Sequence, residues 1–290
     1  MFGALLMTIS AAAPAHAAKP AKRVVALEWE YVEDLLATGV RPVGAADLKG
    51  MKEWTAVSAP SGITDVGIRQ EPSLERIAAL KPDLIVATRF RTTRNLRQLK
   101  KIAPVLRLDA YPRGGKDAQY KAMLTGIRKI AARTGKRSRA DAVIRDLDRT
   151  YATLRKDLRK AGRDGSRVAI ASGGGTIGSP AVRMFTGNSL TAGVLRRLGL
   201  RNGWPTAKSP FGFSTVGLEG LVRVKPGWLV FAYPSRYASV VREWQSQSTW
   251  KSLDVVKQNR VRTIPGNTWP YGGPLSTKIL AQRLAGALTR

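Results

Sequence analysis

The stretch RSRADAVIRDLDRTYATLRKDLRKAG, residues 137–162, decides how this chain is divided. Apolar residues fall at Val143, Leu147, Tyr151, Leu154 and Leu158, the recurrence of one helical face, and Arg, Lys and Asp fill most of the rest. No glycine or proline interrupts the run before Gly162. A helix over Ser138 to Ala161 rises 1.5 Å per residue and spans about 36 Å, the width of a small domain. It lies where one α/β pattern gives way to another, which suits a stiff connector between two lobes. The same periodicity also describes an amphipathic helix packed on a single core.

Upstream, residues 23–27 form a short β-branched run, 31–38 a helix ended by Gly39, and 40–46 a second strand. A loop carrying Trp54 follows. Glu71 to Glu75 opens a helix, with Pro72 in its first turn and Glu75 near the positive end of the helix dipole. Residues 83–87 and 102–108 read as strands and 118–133 as a helix. Downstream, strands are expected at 167–171, 228–232 and 261–264, and helices at 189–198, 218–224 and 277–288. The two halves echo one another. PSLE (72–75) with KPDLIV (81–86) matches VGLE (216–219) with KPGWLV (225–230): a Glu-headed helix, Lys-Pro, then a buried strand.

Composition narrows the chemistry. The 290 residues contain no cysteine, and the single histidine, His16, lies in an apolar N-terminal segment with an Ala15-His16-Ala17 cleavage pattern. Residues 1–17 are therefore expected to be a signal peptide, and the chain to be exported to a periplasmic or cell-surface location. Without a lipobox cysteine, no lipid anchor is expected on the sequence as written. Without that segment, the chain lacks thiolate and imidazole groups, the usual ligands of zinc and the commonest general base. The net charge of +29 comes from basic residues spread from Lys19 to Arg290. That spread suits a cationic surface held near anionic lipid or wall polymer, and no nucleic-acid motif accompanies it. Gly173 to Gly178 fits G-x-G-x-x-G, but no acid occurs between Asp164 and Glu219 to complete a dinucleotide site. No G-x-S-x-G elbow is present either. A binding protein is expected rather than an enzyme.

Four segments carry a resemblance: RVVALEWEYVEDLLATGVRPVGAAD (23–47), DVGIRQEPSLERIAALKPDLIV (65–86), NSLTAGVLRRLGLRNGW (188–204) and TWPYGGPLST (268–277). Together they resemble the substrate-binding proteins of iron-siderophore ABC importers, of the ferric hydroxamate-binding type, which share their architecture with the vitamin B12-binding protein. The resemblance implies an α/β fold of two lobes, 18–137 and 162–290, bridged by the helix 138–161, with the ligand in the cleft between them. It implies that Arg69 donates to oxygens around the iron and that Trp54, Phe211 and Trp269, with Tyr271, line the cleft. Iron arrives already coordinated by its siderophore, so no cofactor and no protein metal ligand are implied. Relatives place a tyrosine where this chain has Arg91, with Arg89 two residues earlier. That departure opens an alternative ligand, an anionic carboxylate or catecholate complex. Glu75 and Glu219 match glutamates that pair with arginines of the importer's permease, and the protein is expected to act as a monomer. Two readings of other classes stay open: an enzyme acting on a siderophore or nucleotide, and a basic polyanion-binding surface protein. Arg69→Ala is expected to weaken binding while leaving the melting temperature nearly unchanged.

Overall fold

The computed structural model describes residues 19–173, 180–233 and 238–290, so the expected leader and Gly174 to Gly178 lie outside the described residues. In chain order the first lobe contains β1 (Val24–Ala26), α1 (Trp29–Ala37), β2 (Gly44–Ala45), α2 (Leu48–Trp54), β3 (Thr64–Asp65), β4 (Gly67–Ile68), β5 (Glu71–Pro72), α3 (Leu74–Ala79), β6 (Leu84–Thr88), α4 (Leu96–Ile102) and β7 (Val105–Leu108). Then come α5 (Ala118–Thr134) and α6 (Arg137–Lys160). The second lobe contains β8 (Arg167–Gly173), β9 (Val182–Phe185), α7 (Leu190–Arg197), β10 (Arg201–Asn202), β11 (Phe213–Val216), a 3-10 turn over Glu219–Arg223, β12 (Trp228–Ala232), α8 (Ala238–Ser246), α9 (Ser248–Ser252), α10 (Asp254–Lys257), β13 (Val261–Ile264) and α11 (Pro274–Leu288).

The first sheet is parallel throughout, ordered β3-β2-β1-β6-β7. Its central strands are unbroken apolar runs because both faces are covered. Val24, Ala26, Leu84 and Val86 point into one cluster with Trp29, Tyr31 and Leu35 of α1. Val25, Ile85 and Ala87 point into the opposite one with Ile77 and Leu99. The second sheet is ordered β11-β9-β8-β12-β13, with β10 beside the start of β8. There β8, β12 and β13 are parallel, while β9 is antiparallel to β8 and to β11.

The long helix is present, and it does not bridge alone. Ala140 and Ile144 of α6 pack with Ile127 and Ala131 of α5, while Leu147, Tyr151 and Leu158 enter the second lobe's core. Helix α5 crosses as well, with Tyr120 and Met123 in the second core and Ile130 in the first. So does α11: Leu275 and Ile279 pack on the first core, and Leu280, Leu284 and Leu288 lie in the second. Three crossing helices therefore share the load expected of one.

Several local expectations change for identifiable reasons. Glu71–Pro72 pairs with β4 as a short strand instead of opening the helix, and Ser73 caps α3 by accepting from Arg76 N–H at 3.2 Å. Glu75 still falls in the first turn of α3. Residues 219–223, flanked and interrupted by glycine, make one 3-10 turn in place of an α-helix. Trp54 ends α2, whose N-cap Asp47 accepts from Gly50 N–H at 3.1 Å, so it is not a loop residue. No helix among the described residues is long and apolar enough to cross a membrane.

With three helices packed through the junction, wide hinge closure would have to break buried contacts, so ligand should cause only small lobe rotations. Small-angle scattering with and without a ferric ligand should give nearly equal radii of gyration. A drop of several ångströms would contradict this.

Candidate ligand-binding site

Parallel sheets present binding loops at the carboxyl ends of their strands. Here β6 runs into Arg89-Phe90-Arg91, and β7 runs into the segment from Asp109 to Gly115. Across the gap the second lobe supplies Asn188 and the turn Lys208 to Phe211. Together they line a cleft of about 1060 Å³. The second-lobe turn is held in place by Asn188, whose amide donates to Ser209 O at 2.9 Å and whose Oδ1 accepts from Ser209 N–H at 3.2 Å and from Thr186 Oγ1 at 2.7 Å. Gly212 closes the turn at φ 77°, a conformation favouring glycine, and a Cβ there would meet Gln119 at 2.5 Å.

Three rings meet at the centre of this cleft. Centroids of Phe90 and Tyr111 are 5.2 Å apart, Phe90 and Phe211 5.9 Å, and Tyr111 and Phe211 5.5 Å, all edge-on. Phe90 is 42% exposed and Phe211 46%, unusual for side chains of this size, and they come from opposite lobes. Arg89, Arg113 and Lys208 also line the cleft, against a single lining carboxylate, Asp109. Asp109 caps its own turn by accepting from Tyr111 N–H at 3.2 Å.

Tyr111 also borders two small deep spaces, one shared with Glu30, Gln119 and Tyr271, the other with Glu28, Arg69, Trp29 and Trp269. At the floor, Glu28 holds two arginines. Arg69 Nη1 donates to Glu28 Oε2 at 3.2 Å and Arg69 Nε to Asp47 Oδ2 at 3.3 Å, while Arg91 Nε donates to Glu28 Oε1. The Arg69 guanidinium also stacks 3.5 Å from the Trp29 ring centroid. Burial pushes the Glu28 carboxyl above its usual range, and both arginines act against that shift.

The residues singled out in the sequence thus fall into separate places. Arg89 and Phe211 line the main cleft; Arg69, Trp269 and Tyr271 border the deep spaces; Arg91 pairs with Glu28 beside the Phe90 ring. Trp54 borders none of these three spaces and meets the Trp269 ring edge-on at 5.8 Å, one ring removed from the deep space that Trp269 borders. Glu75 and Glu219 are both exposed, one on each lobe. Phe90, Tyr111, Arg113 and Lys208 went unremarked in the sequence, although Tyr111-Pro112-Arg113 directly follows a readable strand. Glu28 was hidden because an acid at a helix start has an ordinary explanation in capping.

The expectation that Arg69→Ala spares stability also changes. Removing Arg69 takes the guanidinium from Asp47 Oδ2, leaving Asp47 only its Gly50 cap bond, and removes one of the two arginines from Glu28, in a site where both side chains of the Arg69–Glu28 pair are less than 15% exposed. Breaking such a pair costs about 3 kcal/mol. Arg69→Ala should lower the melting temperature by roughly 5 °C or more, and adding Glu28→Gln should recover part of the loss. Equal melting temperatures for wild type and Arg69→Ala in calorimetry would show that the pairing carries no stability.

Known proteins are similar to this chain in sequence and in fold. Residues 24–268 match the family model described as periplasmic binding protein. The Fe(3+) dicitrate-binding periplasmic protein FecB of Escherichia coli (strain K12) is 33% identical over 255 residues, covering 87% of this chain and 79% of that protein. The Fe(3+)-citrate-binding protein YfmC of Bacillus subtilis (strain 168) is 30% identical over 250 residues, covering 86% and 74%. The crystal structure of the siderophore-binding protein FhuD of Vibrio cholerae with Fe3+-Desferal superposes with a TM-score of 0.83 at 29% identity, covering 92% of this chain and 98% of that one. With the family model running from β1 in the first lobe through α5 and α6 to Thr268 in the second, this chain belongs to the periplasmic binding protein family.

Proposed function

We propose that this protein captures a ferric siderophore in the cleft between its lobes, delivers it to the permease of an ABC importer, and prefers complexes that carry negative charge. The observation that carries the charge preference is the cleft lining: Arg89, Arg113 and Lys208 against Asp109 alone. The deep arginines do not contribute the same way. Arg69 and Arg91 already face Glu28, and Arg69 also faces Asp47, so those four side chains sum to no net charge. The rim cations are what an incoming anion meets. Guanidinium and ammonium groups pair well with carboxylate oxygens, and the Phe90, Tyr111 and Phe211 rings offer an apolar wall to the organic part of the ligand. The names of the two ferric-citrate relatives support the same reading. A neutral or cationic hydroxamate complex is the second reading, favoured by the Desferal-bound relative. The site suits binding rather than turnover, and the protein is taken to work as an exported monomer whose +29 charge draws it toward anionic surfaces.

Losing one charge-assisted hydrogen bond costs about 1.5 to 3 kcal/mol, roughly ten- to a hundredfold in affinity. Arg113→Ala and Lys208→Ala should each weaken ferric citrate binding about tenfold at low salt and less at high salt, and should leave ferrioxamine binding nearly unchanged. Tryptophan fluorescence titration reads this, since Trp29 and Trp269 border the deep space beneath Tyr111. Losses of equal size for both ligands would reject the charge preference.

The two exposed acids Glu75 and Glu219 are proposed to meet arginines on the permease, one from each lobe. The variant Glu75→Ala with Glu219→Ala should bind the ferric ligand with wild-type affinity and fail to support iron uptake in cells. Unimpaired uptake would remove the docking role.

A further inference from the structure

Helix α1 carries three more acids on one face, Glu30, Glu33 and Asp34, spaced so that all three turn toward α5 and the start of α11. Glu33 and Asp34 are fully buried. Glu33 accepts from Ser276 N–H at 2.8 Å and from Ser276 Oγ at 2.6 Å, which ties α1 to the first turn of α11. Asp34 has no hydrogen-bond donor at either oxygen. Glycines let the neighbouring helices close over it: a Cβ on Gly273 would lie 3.3 Å from Asp34 Oδ1, and one on Gly126 of α5 3.6 Å from Oδ2. Glu30 is the member that looks toward the ligand, since it borders both deep spaces beneath Tyr111.

The groups facing this cluster are few. On its own helix and cap stand Glu28 and Tyr31; from the β7 loop comes Tyr111; from α5 come Gln119 and Gly126; from the approach to α11 come Tyr271, Gly273 and Ser276. The nearby cations are Arg69 and Arg91, both held by Glu28, and Arg183, which acts on Tyr271. Glu30 keeps partial exposure while Glu33 and Asp34 are sealed from water, and three carboxylates packed together in this way disfavour full ionisation. Burial first, then the neighbouring Glu28 and Glu33, push Glu30 well up. Burial first, then Glu30 and Glu33, do the same to Asp34. Burial raises Glu33 to about 7, with its Ser276 and Gly273 bonds opposing the shift. The cluster therefore holds protons in the neutral range, and its last charge is sensitive to any new charge nearby.

We propose that Glu30, Glu33 and Asp34 form a proton store under the cleft floor that takes up a proton from solvent when an anionic ferric complex binds, making Glu30 a residue that sets charge preference and pH dependence of binding. This rests on the anionic-ligand reading above. The linkage is reciprocal: an anion in the cleft raises the proton affinity of the carboxylates beneath it, and a protonated cluster binds the anion more tightly. Affinity for anionic complexes therefore rises as pH falls through the neutral range, by up to about tenfold per pH unit for one proton taken up.

The experiment is isothermal calorimetry with ferric citrate between pH 6 and 8, in two buffers of unlike ionisation enthalpy, on wild type, Glu30→Gln and Glu30→Asp. The citrate complex changes its own protonation with pH, so the difference between wild type and Glu30→Gln is the quantity read. Wild type should take up a fraction of a proton to one proton more than Glu30→Gln and show the steeper fall of affinity with pH; Glu30→Asp should keep most of the uptake. Asp34→Asn serves as a second neutral variant should Glu30→Gln not fold. Tight citrate binding with the same proton count in wild type and in the neutral variants would overturn the proton store and leave the anionic reading standing. Failure of the wild type to bind ferric citrate at any pH would remove the anionic reading and the proton store with it.

Discussion

The carboxylate of Glu28 is the interaction on which the rest of the site depends. It sits at the N-cap of α1, buried beneath the cleft, and both deep arginines point at it. Removing a carboxylate from water is costly, and two guanidiniums supply the hydrogen bonds and charge that offset that cost. The consequence reaches outward. Because Arg69 and Arg91 are occupied, their two charges are balanced at the floor and their side chains are held in place, with Arg69 stacked on Trp29 and bonded to Asp47. The cations that remain open to an incoming ligand are those of the rim, Arg89, Arg113 and Lys208, where water still reaches the side chains.

The same helix joins binding to architecture. One turn after Glu28, α1 turns its acidic face to α5 and α11, and these are two of the three helices that cross between the lobes. The Glu33–Ser276 contact fastens the first lobe to the start of α11, just after the loop that carries Trp269 and Tyr271 into the deep spaces. Floor, junction and aromatic lining are therefore built on one packed unit, which explains how a cleft of this size can stay formed without ligand.

Much of the fold was legible because its strongest signals are local. The 24-residue α6 has an uninterrupted apolar face, and β6 and β12 are short apolar runs introduced by Lys-Pro. Elements with weak local signals escaped. Helix α4 buries a single leucine, Leu99, and β9 and β11 are four-residue strands that depend on pairing with each other and with β8. The crossing role of α5 and α11 was also hidden, since periodicity shows that a helix has an apolar face and does not show that its two ends serve different cores. At the site, Arg69 stood out through family resemblance, but its engagement with Glu28 and Asp47 joins residues 41 and 22 positions away in sequence, and no local pattern announces such a pairing. Phe90, Tyr111 and Phe211 form their trio only when loops from both lobes close on one another.

The most direct measurement of the account's central claim is the affinity of the wild-type protein for ferric complexes that differ in charge, anionic citrate and catecholate complexes against a neutral and a cationic hydroxamate, each at low and high salt. If the rim cations define the ligand, affinity ranks with negative charge at low salt and the spread narrows as salt rises. A hydroxamate complex bound more tightly than every anionic one, with no change on adding salt, would contradict it.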